Sequence, residues 1–98
     1  MEINISHGEK MVIALKGRLD TVTSAEVSQR LAEEKIEEQL VIVDLKELEY
    51  ISSAGLRLLL TLKKNLAAEG KDLEIHNLND VCQEVFNVTG FVNILTVK

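Results

Sequence analysis

The stretch YISSAGLR, residues 50–57, holds the side chains best suited to chemistry: two adjacent hydroxyls, Ser52 and Ser53, followed by two small residues, Ala54 and Gly55. A serine in this setting can act as a nucleophile, cap a helix, or accept a phosphate. The nucleophile requires an activating base and an oxyanion hole. The chain has no G-x-S-x-G elbow, and neither His7 nor His76 falls in a recognisable triad motif. An enzyme is therefore the weakest of the three readings. The remaining reactive groups are as sparse. His7 and His76 lack the Cys or carboxylate spacing of a metal site. Cys82, among Val81, Val85 and Phe86, reads as a buried, inert thiol. With no glycine-rich phosphate loop, any ATP is better assigned to a partner, and no cofactor is implied.

The helix that must position the serines is expected from about Ser53 to Glu69, ending at Gly70, a favourable left-handed residue. Leu56, Leu58, Leu59, Leu60, Leu62 and Leu66 give it a wide apolar arc. Arg57, Thr61 and Lys64 recur at i, i+4 and i+7 as a narrow polar stripe, which extends back four residues to Ser53. Ser53 is thus predicted to be exposed. Ser52 is predicted as the N-cap, accepting from the free N–H of Ala54 or Gly55. Ala54 and Gly55 are read as keeping the surface low for a partner's approach. A phosphate on Ser53 would add about -1.5 to -2 charge and three strong acceptors. The positive end of a helix tolerates that well, and Arg57 stands one turn away to pair with it. A partner docked on the neutral serine would instead receive a charge inside its contact.

Around this helix the sequence reads as β-β-α-β-α-β-α-β, a single α/β domain over residues 1–98 with about five strands and three helices. Ile3 and Ile5 alternate with polar residues, HGEK turns, and MVIAL returns as a hairpin strand closed by Gly17. Thr23-Ser24-Ala25-Glu26 fits a capping box, with Val22 and Val27 as its hydrophobic staple. Val27, Leu31 and Ile36 then face inward, and Glu33, Glu34, Glu37 and Glu38 form a solvated face. LVIVDL (40–45) reads as a strand buried on both faces, DLEIHNL (72–78) as the next strand, and FVNILTV as the last. A third helix follows Asn79, with Asp80 and Gln83 spaced as an alternative capping box, and stops at Gly90. Strand–helix alternation of this kind implies a mixed, mainly parallel sheet.

Composition narrows the function further. A net charge of -5 with scattered basic residues argues against nucleic-acid binding. No apolar run reaches the roughly 20 residues that span a bilayer, and MEINISHGEK does not resemble a signal peptide. With one cysteine, the expected compartment is the cytoplasm.

YISSAGLRLLL after VIVDLKELE resembles the signature of STAS domains, specifically the stand-alone bacterial anti-sigma factor antagonists. GRLDTVTSAEV resembles that family's Gly-x-Leu-Asp motif, and TGFVNILTV its closing segment. The resemblance implies a transcription regulator of the stress-response kind that works by partner switching. Unphosphorylated, it binds an anti-sigma factor that is also a serine kinase, and so frees a sigma factor. Phosphorylation releases it, and a phosphatase restores it. Carried over by motif, Ser53 is the phosphate acceptor and Asp20 the loop aspartate beside it, although Asp20 read alone is more simply a residue that stabilises a turn or the positive end of the first helix. Ser52 stands where many members have Asp. The implied partner surface is Asp20, Thr23, Ser52, Ser53, Ala54, Gly55 and Arg57, on a monomer that heterodimerises. The alternative is a STAS scaffold in a signalling or transport assembly without the switch.

Overall fold

The computed structural model describes residues 1–98 and arranges them as six strands, three α-helices and one 3-10 turn. In chain order these are β1 (Glu2–Ser6), β2 (Met11–Leu19), α1 (Thr21–Ala32), β3 (Leu40–Asp44), β4 (Leu48–Ile51), α2 (Ser53–Ala68), β5 (Asp72–His76), α3 (Asp80–Thr89) and β6 (Thr96–Val97). The sheet order is β1-β2-β3-β5-β6, with β4 added to β2. Only β1 and β2 run antiparallel; β2–β3, β3–β5, β5–β6 and β2–β4 are parallel. This is the mixed, mainly parallel α/β sheet expected from the strand–helix alternation.

Period-two alternation puts Met11, Ile13 and Leu15 of β2, Val41 and Val43 of β3, and Leu73 and Ile75 of β5 on one face. They share one buried cluster with Val27 of α1, Leu56, Leu59, Leu62 and Leu66 of α2, and Cys82 and Phe86 of α3. All three helices therefore pack into a single core. Ile42, on the opposite face, is buried outside that cluster, so β3 buries side chains on both faces. The core is aliphatic, as the scarcity of aromatics requires; Phe86 meets Phe91 edge-on at 6.4 Å between ring centroids.

Several local expectations are corrected. β2 does not close at Gly17 but continues to Leu19, with Gly17 at φ 110°. That residue sits where β2 exchanges partners, from β3 to β4: Gly17 pairs with Leu48 and Arg18 with Tyr50, so the ladder skips Glu49. β4 was unforeseen because this skip leaves Leu48 and Ile51 buried three residues apart, breaking the two-residue period. Helix α1 is capped by Asp20, not Thr23, and Val22 lies in the first turn, 70% exposed, so the expected staple does not form. The helix ends at Ala32; Ile36 reaches the core from the following loop. Glu34 and Glu38 are drawn inward rather than solvated, and Glu38 is buried. The closing segment is mostly not a strand. Gly90, at φ 78°, turns the chain into a 3-10 turn at Phe91–Asn93, and only Thr96–Val97 pairs with β5. Helix α3 does follow Asn79 as expected: Asn79 is its cap, with Oδ1 accepting from the Cys82 N–H at 3.0 Å, and the alternative Asp80–Gln83 box is not used.

Candidate functional site: two capped helix starts at the ends of parallel strands

β2 and β4 run parallel and finish level, Leu19 beside Ile51. Each strand then turns directly into a helix, so the N-termini of α1 and α2 emerge side by side. Every unpaired N–H of a first turn needs an acceptor, and the two caps supply them in different ways. Asp20 Oδ1 accepts from the Thr23 N–H at 3.0 Å, and Thr23 Oγ1 accepts from the Asp20 N–H at 2.8 Å while donating to the Arg18 carbonyl at 2.6 Å. Asp20 and Thr23 thus make a reciprocal capping box. The Thr23 N–H against the carboxylate keeps Asp20 below the ordinary aspartate pKa of 3.8, against the opposing effect of partial burial.

Ser52 caps α2 and also ties the two helix starts together. Its Oγ accepts from the Gly55 N–H at 3.2 Å and donates to the Leu19 carbonyl at 3.0 Å. The same carbonyl receives the Ser52 N–H at 2.9 Å. Asp20 follows Leu19 immediately, so the two sequence motifs singled out above meet across one carbonyl oxygen.

The neighbouring residues then divide into inward and outward. Ser53 is exposed in the first turn of α2, Ala54 is half-buried, and Arg57 is exposed one turn further on and unpaired with any carboxylate. Arg57 and Thr61 border a shallow groove between α1 and α2, whose α1 side is Ser24, Ala25 and Ser28. The Ser24 hydroxyl is buried there without a hydrogen-bond partner. Gly55 requires a correction. It is buried, and a Cβ built on it would lie 2.9 Å from Leu19 Cγ and Cδ2 and from Ile51 Cγ1. Its missing side chain lets α2 sit down on the ends of β2 and β4; it does not lower the outer surface for a partner.

Three neighbours escaped the sequence reading. Arg18 lies over the Tyr50 ring at 4.3 Å, a cation–π contact that follows from their pairing across β2 and β4. Val22, exposed in the first turn of α1, adds an apolar side chain to the same rim. The signal for Arg18 and Tyr50 was the parallel register, which needed β4 to be recognised. No group of three or more His, Cys, Asp or Glu side chains is arranged to hold a metal ion. Cys82 is fully buried, and burial pushes its thiol pKa up, away from the reactive thiolate.

A family model described as "Mlab, STAS domain" matches residues 5–96. The chain belongs to the STAS-domain family. A protein of Bordetella bronchiseptica named "Putative anti-sigma factor antagonist BtrV" is 33% identical to this STAS chain over 99 residues, covering 99% of this chain and 85% of that protein. The anti-sigma-B factor antagonist of Listeria monocytogenes is 27% identical over 99 residues, covering 100% and 87%. Among solved structures, the anti-sigma factor antagonist SpoIIAA in its unphosphorylated form superposes with a TM-score of 0.75 at 18% identity, covering 99% of this chain and 87% of that one. That likeness carries the STAS fold. No helix is long and apolar enough to cross a membrane.

Proposed function

We propose that this STAS domain is an anti-sigma factor antagonist in which Ser53 is the switch. Unmodified, it docks the rim formed by the starts of α1 and α2 on an anti-sigma factor that is also a serine kinase, and so releases a sigma factor. Phosphorylated on Ser53, it lets go, and a phosphatase resets it. The observation that carries this reading is the contrast within one turn of helix. Ser52, Gly55 and Leu56 are committed inward, while Ser53 alone stands exposed where a kinase can reach it. Two curated relatives named as anti-sigma factor antagonists support the partner class.

The physical effect of the phosphate is asymmetric. For the domain it adds acceptors at a helix N-terminus, where backbone N–H groups and the dipole favour an anion, with the exposed Arg57 one turn away. For a partner already packed on Ser53 it places about -1.5 to -2 charge in a desolvated contact. The host tolerates what the complex cannot.

Incubation with the cognate kinase and ATP, followed by intact-mass and fragment analysis, should show one phosphate on Ser53. Ser53→Ala should fold, bind the partner and resist release by ATP, and Ser53→Asp should bind more weakly. If Ser53 stays unmodified after incubation with the kinase and ATP while binding persists, support passes to a STAS scaffold without phospho-switching.

A further inference from the structure

At the opposite ends of the strands from the helix starts, a histidine sits between two glutamates. His7, in the β1–β2 turn, has Nδ1 2.8 Å from Glu38 Oε2 and Nε2 2.8 Å from Glu34 Oε1. Both carboxylates come from the connection between α1 and β3, some thirty positions along the chain. A neutral imidazole has one N–H and one acceptor nitrogen. With a carboxylate oxygen at hydrogen-bond distance from each nitrogen, both contacts are made together only when both nitrogens carry protons.

The anchoring group is Glu38. Its side chain is only 6% exposed, against 43% for His7. Glu38 Oε2 also accepts from the Gly8 N–H at 3.1 Å and Oε1 from the Glu37 N–H at 3.2 Å, so one buried carboxylate knits the turn to the loop. The other charges nearby are placed to serve elsewhere. Lys35 is exposed and pairs with Glu37 at 3.3 Å. Arg30 reaches the far oxygen of Glu34 at 3.7 Å. Lys71 donates to the Ile36 carbonyl and lies 3.9 Å from Glu69. Glu9 lines the adjoining cleft with Lys35 and Glu37. His7 is thus the one cation in contact with Glu38.

We propose that His7, Glu34 and Glu38 form a proton-operated latch, which fastens the β1–β2 turn to the α1–β3 connection while the imidazole is doubly protonated and loosens it when the imidazole is neutral, leaving one of the two histidine contacts and the Gly8 N–H bond to Glu38. Donating hydrogen bonds to the Glu34 and Glu38 carboxylates raises the His7 pKa above 6.5. The bond from His7 lowers Glu34 below 4.5; burial works to raise Glu38, and backbone donors and His7 together outweigh it. The histidine's contribution is complete below 6.5 and is lost as pH rises through its raised value. The carboxylates' contribution is present above 4.5 and is lost as pH falls through their lowered values. The latch is therefore fully closed between those two ordinary values and loosens toward the alkaline side. Helix α1 runs from this latch to Asp20 at the candidate site.

The test is a ring-nitrogen NMR titration of the full chain from pH 5 to 9, with His76→Gln to assign the signals, alongside amide protection factors for Gly8 and Glu37 over the same range. His7 should titrate above 6.5 with both nitrogens protonated below its midpoint, and protection of both amides should fall several-fold through that midpoint. Glu38→Gln should lower the midpoint, and in His7→Gln the amide protection should lose its pH step. A wild-type His7 midpoint at or below 6.5, or amide protection that ignores the His7 titration, overturns the latch. The wild-type data alone decide the matter if either variant fails to fold.

Discussion

Replacing Gly55 with alanine tests the packing that seats α2. The added methyl carbon would lie 2.9 Å from three atoms of Leu19 and Ile51, where carbon pairs prefer about 3.5–4.0 Å. Leu19 is fully buried and Ile51 nearly so, and the Leu19 atoms include the branch carbon, which moves only if the whole side chain changes its χ1 within the packed core. Overpacking of this kind costs about 1–3 kcal/mol. Alanine in place of glycine returns up to about 1 kcal/mol of helix propensity, and less in a first turn, where the helix is only beginning. The expected net loss is about 1–2 kcal/mol, a fall in Tm of about 4–16 °C for a domain of this size. Urea and thermal unfolding followed by circular dichroism would measure it. Leu19→Ala should also destabilise, but the double variant should lose less than the two single losses combined, since each change relieves the other. If Gly55→Ala is as stable as wild type, or the two changes add without coupling, α2 does not rest on the ends of β2 and β4 as described.

Ser52→Ala removes the acceptor of the Gly55 N–H and one of the two donors to the Leu19 carbonyl, so chemical denaturation should show a loss of about 0.5–2 kcal/mol; no change would count against the cap. Ser53→Ala, at an exposed position, should stay within about 0.5 kcal/mol of wild type in the same assay. Asn79→Asp keeps the acceptor for the Cys82 N–H but loses the amide donor to the Leu48 carbonyl at 2.6 Å and the Leu45 carbonyl at 3.3 Å, and it should destabilise by about 1–3 kcal/mol; wild-type stability would mean that Asn79 does not hold the β3–β4 connection. Asp20→Asn retains a good cap without the charge. Because the Asp20 pKa is lowered, wild type should be the more stable at neutral pH, and the gap should close as pH falls below 3.8 through the depressed value. A gap that widens on acidification would reverse the sign.

Helix α2 was legible end to end because its signals are local: Ser52 before it, leucines along it, Gly70 after it. Exposure of Ser53 followed from the Arg57–Thr61–Lys64 stripe by spacing alone. The failures share a different cause, since each depends on a partner distant in sequence. β4 owes its existence to β2 and hides its pattern behind the skip at Glu49. Asp20 and Thr23 are both good caps, and the choice between them depends on β2 extending to Leu19 rather than stopping at Gly17. Glu38 looked solvated because its counter-ion, His7, is 31 residues away. The small size of Gly55 was evident, but only the fold shows that its bare side faces Leu19 and Ile51.

The most direct measurement of the proposed switch is the Kd of the unmodified and the Ser53-phosphorylated protein for the proposed anti-sigma kinase partner, by calorimetry at fixed salt. Phosphorylation should weaken binding by at least about tenfold, or about 1.4 kcal/mol, while leaving the circular dichroism spectrum unchanged. Equal affinities for the two forms would contradict release by charge at Ser53.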